Sequence, residues 1–234
     1  QGFSHVEHIL QKLGINAPLW LTQNNGSLLS LEEAIHFPIK TIGAGPTNSF
    51  MGAAYLCGIQ EAIVVDMGGT STDIGIIEGG YARSSLQAAS IGGIPLHFAM
   101  PDMISLALGG GSLVQIKDNH QFIVGPQSVA RQLQNLSRVF GGNKLTLTDV
   151  GVAAGYLQVE GASLENLGLN RDHAQGIVKN VCQNIYQAIL RLRGNKHHFP
   201  VILVGGGASL LHSLFQDFGL KGWIPVEASV ANAY

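Results

Sequence analysis

The segment DMGGTSTD at 66–73, set between the apolar runs 62–65 and 74–77, constrains this chain more than any other. Two branched apolar runs joined so closely are expected to pair as antiparallel strands. The bend between them must then carry two carboxylates, two glycines and three hydroxyls. Gly68 and Gly69 lack a Cβ, so other groups can approach the backbone there. Successive N–H groups in such a turn make a concave anion site, and the hydroxyls of Thr70, Ser71 and Thr72 add donors beside it. Asp66 and Asp73 would repel a phosphate unless a hard cation stood between them, and Mg²⁺ prefers oxygen ligands with retained water. The segment reads as a turn for polyphosphate and metal, with Asp66 and Asp73 as metal ligands and as the catalytic pair. Gly68-Gly69 is also ordinary hairpin chemistry, but a simple hairpin has no need of an Asp at each end.

With 234 residues and 46% apolar content, the chain can bury a sizeable core as one large domain or two small ones. Charged residues make up 12%, against roughly 25% in an ordinary domain, so part of the surface is expected to be covered in the intact molecule. A formal net charge of −2 and the lack of a Lys/Arg run argue against nucleic acid or an anionic membrane as partner. No apolar stretch approaches the roughly 18 residues of a membrane span, and no signal peptide opens the chain. Cys57 and Cys182 give no disulfide framework, which makes a reducing cytoplasm the expected compartment. None of the nine histidines stands at metal spacing; His197-His198 suit the end of a helix near Gly194. The chain opens on Gln1 and closes on ANAY without a terminal turn, which predicts a piece of something longer.

Periodicity places a helix over 4–13, a strand over 18–22, and a short helix after Ser30 and Glu33 that must end by Pro38. A second helix is expected over 47–58. Strands 62–65, 74–77 and 81–87 then form a three-strand antiparallel meander with the phosphate turn at its first bend. Gly109-Gly110-Gly111 precedes a second hairpin, 113–116 with 122–124, and either touches a ligand or serves as a bend. Apolar positions from Ala174 to Leu192 mark one face of a long packing helix over 170–194. The buried run 200–204 empties into Gly205-Gly206-Gly207-Ala208 and an apolar helix through Leu214. Such turns are common in α/β folds, yet two of them at the carboxyl ends of buried strands match how open sheets build ligand crevices. One would serve as phosphate subsite and the other as base or ribose subsite.

DMGGTSTD after a strand, a long helix, then VILVGGGAS resembles the second lobe of the actin, sugar-kinase and heat-shock-chaperone ATPase superfamily. More narrowly, NNGSLLS, TIGAGPTNSFMGAAYL, AIVVDMGGTSTDIGII, GGGSL, VGPQS, LTDVGVAAGYL and PVEASVANAY follow in order the pattern of the hydantoinase A/5-oxoprolinase family. The resemblance spans nearly the whole chain. It implies an α/β fold: a ribonuclease H-like mixed sheet with the meander and flanking helices, forming one lobe of a two-lobed actin-like ATPase. Residues 1–45 would be the tail of the first lobe and 46–234 the second, nucleotide-binding lobe, with an inserted hairpin region at about 100–150.

Carried over by position, Asp66 and Asp73 would orient Mg²⁺ and its waters, while Gly68, Gly69 and Thr70, with Ser71 and Thr72, would hold the phosphates of ATP. Gly205, Gly206, Gly207 and Ala208 would face adenosine. The activity implied is ATP-dependent opening of a small cyclic amide, a hydantoin or 5-oxoproline. Its partners would be the missing first lobe and a companion subunit. The chain departs from the family where relatives carry a serine-glycine-proline-alanine-glycine-glycine run at 43–48 and a glutamate-serine-alanine-glycine run at 127–130. Two other readings stay open: a nucleotide-gated binding protein that closes two lobes on a partner, and a small-molecule kinase.

Overall fold

A computed structural model describes residues 2–86, 89–91, 93–96, 98–117, 121–162 and 167–233. Helix α1 (Gly2–Lys12) leads to a small hairpin, β1 (Trp20–Thr22) with β2 (Leu28–Ser30), and to α2 (Leu31–His36). Ser30 caps α2 by accepting from the Glu33 N–H at 3.2 Å, as its spacing predicts. Buried Asn24 ties the hairpin to residues 39–43: its Nδ2 donates to the Ile39 carbonyl, and its Oδ1 accepts from the Gly43 N–H at 2.7 Å.

Helix α3 (Ala44–Cys57) ends on Gly58 at φ 63°. It starts three residues before the expected position, because Pro46 falls in the first turn, where a missing N–H leaves no helical bond unmade. Strands β3 (Ala62–Met67), β4 (Thr72–Glu78) and β5 (Tyr81–Ala82) form the expected meander, but its third strand is cut short. Arg83 turns the chain away, with Nε and Nη2 donating to Asp102 at 3.0 and 2.7 Å. Part of the expected return, around residue 87, lies outside the described residues. After a minor hairpin, β6 (Ala89–Ile91) with β7 (Ile94–Leu96), strand β8 (Met103–Leu106) pairs with the other end of β4.

The second hairpin forms as β9 (Ser112–Ile116) and β10 (Phe122–Ser128), and α4 (Leu133–Leu136) comes after it. Helix α5 (Leu147–Ala154) opens with a full capping box of Thr146 and Asp149. The long helix α6 (Arg171–Arg193) is capped by Asn170, and β11 (Val201–Val204) is buried throughout. The helix expected after the second glycine turn is broken: a 3₁₀ segment, Ala208–Leu211, precedes the four-residue α7 (Ser213–Gln216). Past the end of α6, Arg193 donates to the carbonyls of Lys196, His197 and Phe199.

Strand β12 (Gly222–Trp223) completes a sheet of order β12-β11-β3-β4-β5, with β8 also on β4. Pairs β12–β11 and β11–β3 are parallel, while β3–β4 and β4–β5 are antiparallel. This order and mixture of directions is that of the expected ribonuclease H-like mixed sheet. Side chains alternate across it, so Asp66 and Val64 share one face with their partners Asp73 and Gly75. Helix α3 covers that face with its Phe50 ring lying on Gly75, where an added Cβ would stand 2.1 Å from the ring. Gly75→Ala should therefore destabilise the fold by about 1–3 kcal/mol through overpacking, read as a lower midpoint in denaturant unfolding.

Candidate functional site

The β3–β4 register sets Asp66 directly opposite Asp73. Like charges at a directly opposed cross-strand position are unfavourable unless a cation joins them. Burial pushes the Asp66 carboxyl above the usual carboxylate range; a hydrogen bond from Ser49 of α3 works against this shift, and the Asp73 charge adds to it. A half-buried carboxylate facing a second one is the arrangement a divalent cation relieves. Among the described residues no third His, Cys, Asp or Glu joins them in a metal-holding group. A Mg²⁺ here would take its other ligands from water and phosphate oxygen, which suits its preference for retained water.

Between the two carboxylates, Gly68 donates to the Ser71 carbonyl at 3.0 Å to close the turn. Gly69 and Thr70 are exposed, and among the described residues the amides of Gly69, Thr70 and Ser71 donate to nothing. Amides without an internal acceptor thus stand where the sequence led one to expect anion donors. Thr72 is different: its fully buried hydroxyl donates to the Leu108 carbonyl at 2.6 Å and faces the core.

The second glycine turn lies against the first. Gly205, at φ 86°, has no room for a side chain, since a Cβ would meet Asp66 Oδ1 and the Met67 carbonyl, both at 2.4 Å. Its N–H donates to the Ala228 carbonyl at 2.7 Å, and the Gly207 N–H donates to the Met67 carbonyl at 2.9 Å. Gly206 is exposed, whereas Gly207 and Ala208 are buried. Ser49, Asp66, Gly68, Gly205, Gly206 and the 228–232 segment line a common cleft of about 200 Å³. Of the residues expected at the site, Asp66, Gly68, Gly205 and Gly206 line this cleft, whereas Gly69, Thr70, Ser71, Gly207 and Ala208 do not; Asp73 stands across from Asp66 on the neighbouring strand.

Three contributions escaped the sequence. Ser49 reaches Asp66 from a helix whose small residues read only as packing. Residues 228–232 close the cleft from a stretch without periodicity. The run Gly109-Gly110-Gly111 lies under the phosphate turn, its amides at 110 and 111 donating to the carbonyls of Gly68 and Gly69 at 2.9 and 2.7 Å. Spacing could not have found these contacts, but three consecutive glycines did signal a close backbone approach. Ser128, at the end of β10, also donates to the Gly69 carbonyl at 3.3 Å.

The hydantoinase/oxoprolinase family model matches residues 2–163. This chain belongs to that family. Within it, the chain is 31% identical to the caprolactamase subunit alpha of Pseudomonas jessenii over 92% of its own length and 35% of the relative's. It is 26% identical to the acetophenone carboxylase gamma subunit of Aromatoleum aromaticum, over 80% of this chain and 29% of that one. The solved ATP-dependent caprolactamase of Pseudomonas jessenii superposes with a TM-score of 0.72 at 25% identity, over 99% of this chain and 38% of that one. Nucleotide-free acetone carboxylase shares the fold with a TM-score of 0.77 at 21% identity, over 99% of this chain and 36% of that one. The chain thus spans about a third of the length of these proteins.

Two measurements probe the local energetics of this hydantoinase/oxoprolinase chain. Ala130, beside Ser128, holds φ 49°, a left-handed conformation that costs a non-glycine residue about 1 kcal/mol. Ala130→Gly should raise the unfolding midpoint. Asp66, with its carboxyl held high, carries stability that is present in acid and lost as pH rises through its folded-state value. Asp66→Asn should therefore stabilise the ligand-free chain at neutral pH by roughly 0.5–1 kcal/mol. The gain should vanish below the ordinary Asp range, which urea unfolding across pH 3–8 would show.

Proposed function

We propose that the chain supplies the phosphate-and-metal half of an ATP site in an enzyme that opens a cyclic amide. Residues 46–234 would be the nucleotide-binding lobe and residues 1–45 the tail of the lobe before it. The opposed Asp66 and Asp73, next to three undirected amides and the Gly205-Gly206 wall, carry this reading. An ATP-dependent caprolactamase with the same fold supports it, as does the 5-oxoprolinase 1 of Arabidopsis thaliana, 30% identical over half of this chain.

The amides of Gly69, Thr70 and Ser71 would hold the phosphates, Gly206 would meet the nucleoside side, and Asp66 and Asp73 would hold the metal through its waters. A divalent cation held by Asp66 and Asp73 would supply neutralisation of phosphate charge. The acceptor would be the ring amide oxygen, which takes the γ-phosphoryl group as ADP departs. Water then adds to the activated carbon, and the C–N bond opens as the nitrogen takes a proton. A second water hydrolyses the acyl phosphate left behind. Positioning and charge neutralisation supply most of the catalysis in such transfer, so this half-site needs no nucleophilic triad.

The test uses the full-length protein. Hydantoin, 5-oxoproline or caprolactam should stimulate ATP hydrolysis, and Asp66→Ala should lower that turnover by about a hundredfold or more with the fold retained by circular dichroism. Normal turnover in the variant would overturn the assignment. Tight ATP binding with no stimulation by any cyclic amide would favour a nucleotide-gated binding protein, and a stable phosphorylated product a kinase.

A further inference from the structure

We propose that Thr148 is a positioning residue for the phosphate turn, acting through Gly110; this rests on the ATP site described above. Thr148 lies in the first turn of α5, buried, with its N–H and its hydroxyl both donating to the Gly110 carbonyl, at 2.8 and 2.9 Å. Gly110 in turn donates to the Gly68 carbonyl, and Gly111 to that of Gly69.

The geometry of the peptide unit gives this chain of bonds its meaning. In a planar trans peptide the C=O and the N–H of the next residue point in opposite directions. Drawing the carbonyls of Gly68 and Gly69 inward onto the 109–111 strap therefore aims the amides of Gly69 and Thr70 outward. Those are the amides left without an internal acceptor. The strap has no slack in which to turn, because a Cβ on Gly109 would stand 2.6 Å from the Thr70 nitrogen and one on Gly111 2.8 Å from the Gly69 carbonyl oxygen.

Thr148 is itself held from behind. The neighbouring Asp149 carboxylate is fully buried and accepts from the Ser137 hydroxyl, the Val139 N–H, and the N–H and hydroxyl of Thr146, all within 2.6–2.9 Å. A hydrogen-bonded path thus runs from a rigid helix start, through Thr148 and Gly110, to the direction of the anion donors. The Thr148 hydroxyl is spent on the Gly110 carbonyl, and Thr148 is not among the residues that line the cleft.

Thr148→Val keeps the shape and the N–H but removes the hydroxyl; Thr148→Ser restores it. In the full-length protein, the Val variant should bind Mg·ATP five- to twentyfold more weakly by calorimetry. Its KM for ATP should rise in parallel, its KM for the cyclic amide should stay within twofold, and the Ser variant should return to within twofold of wild type. Unchanged ATP affinity in the Val variant, or equal rises in both KM values with a fallen melting temperature, would overturn the proposal and leave the ATP site standing. A wild-type protein that binds no Mg·ATP would overturn both.

Discussion

The register between β3 and β4 is the constraint on which the rest of this structure depends. Side chains alternate along a strand, so a slip of one residue would exchange the two faces of β4. Asp73 would then turn into the core, and Ile74 toward the cleft. Phe50 on Gly75 and the Thr72 hydroxyl on the Leu108 carbonyl both forbid that slip, each from its own face of the sheet. The same pairing that buries Ile63, Val65, Ile74 and Ile76 brings two carboxylates together at the end of the strands. Folding energy from the core thereby holds an electrostatic arrangement that would not form by itself.

The turn between those strands is a shell of backbone on backbone. Gly109 to Gly111 lie beneath it, Gly205 and Gly207 press on Met67 beside it, and side chains enter mainly to orient peptide units. A surface of main-chain amides recognises the geometry of an anion and is indifferent to side-chain chemistry.

How far the sequence could be read depended on the range of the interactions involved. Strands 62–67 and 72–78, the long helix and both glycine turns were legible because local hydrophobic period and turn chemistry determine them. The cap at Ser30 arises from short-range hydrogen bonding and was equally legible. The edge of the sheet was not. Arg83 leaves the meander to meet Asp102, nineteen residues on, and no pattern near Arg83 announces it. Ser49 against Asp66 and residues 228–232 across the cleft belong to the same class: contacts between distant segments, made by small residues without a distinctive pattern.

Gly52 has a wider bearing than its place in a packing helix suggests. A Cβ there would fall 1.8 Å from the carbonyl oxygen of Ala231, so the terminal 3₁₀ stretch rests directly on the backbone of α3. One turn earlier the same helix presents Ser49 to Asp66. The far wall of the cleft and the group that steadies its carboxylate are therefore parts of a single rigid lever. Displacing α3 would carry both with it, so the two sides of the cleft do not shift independently.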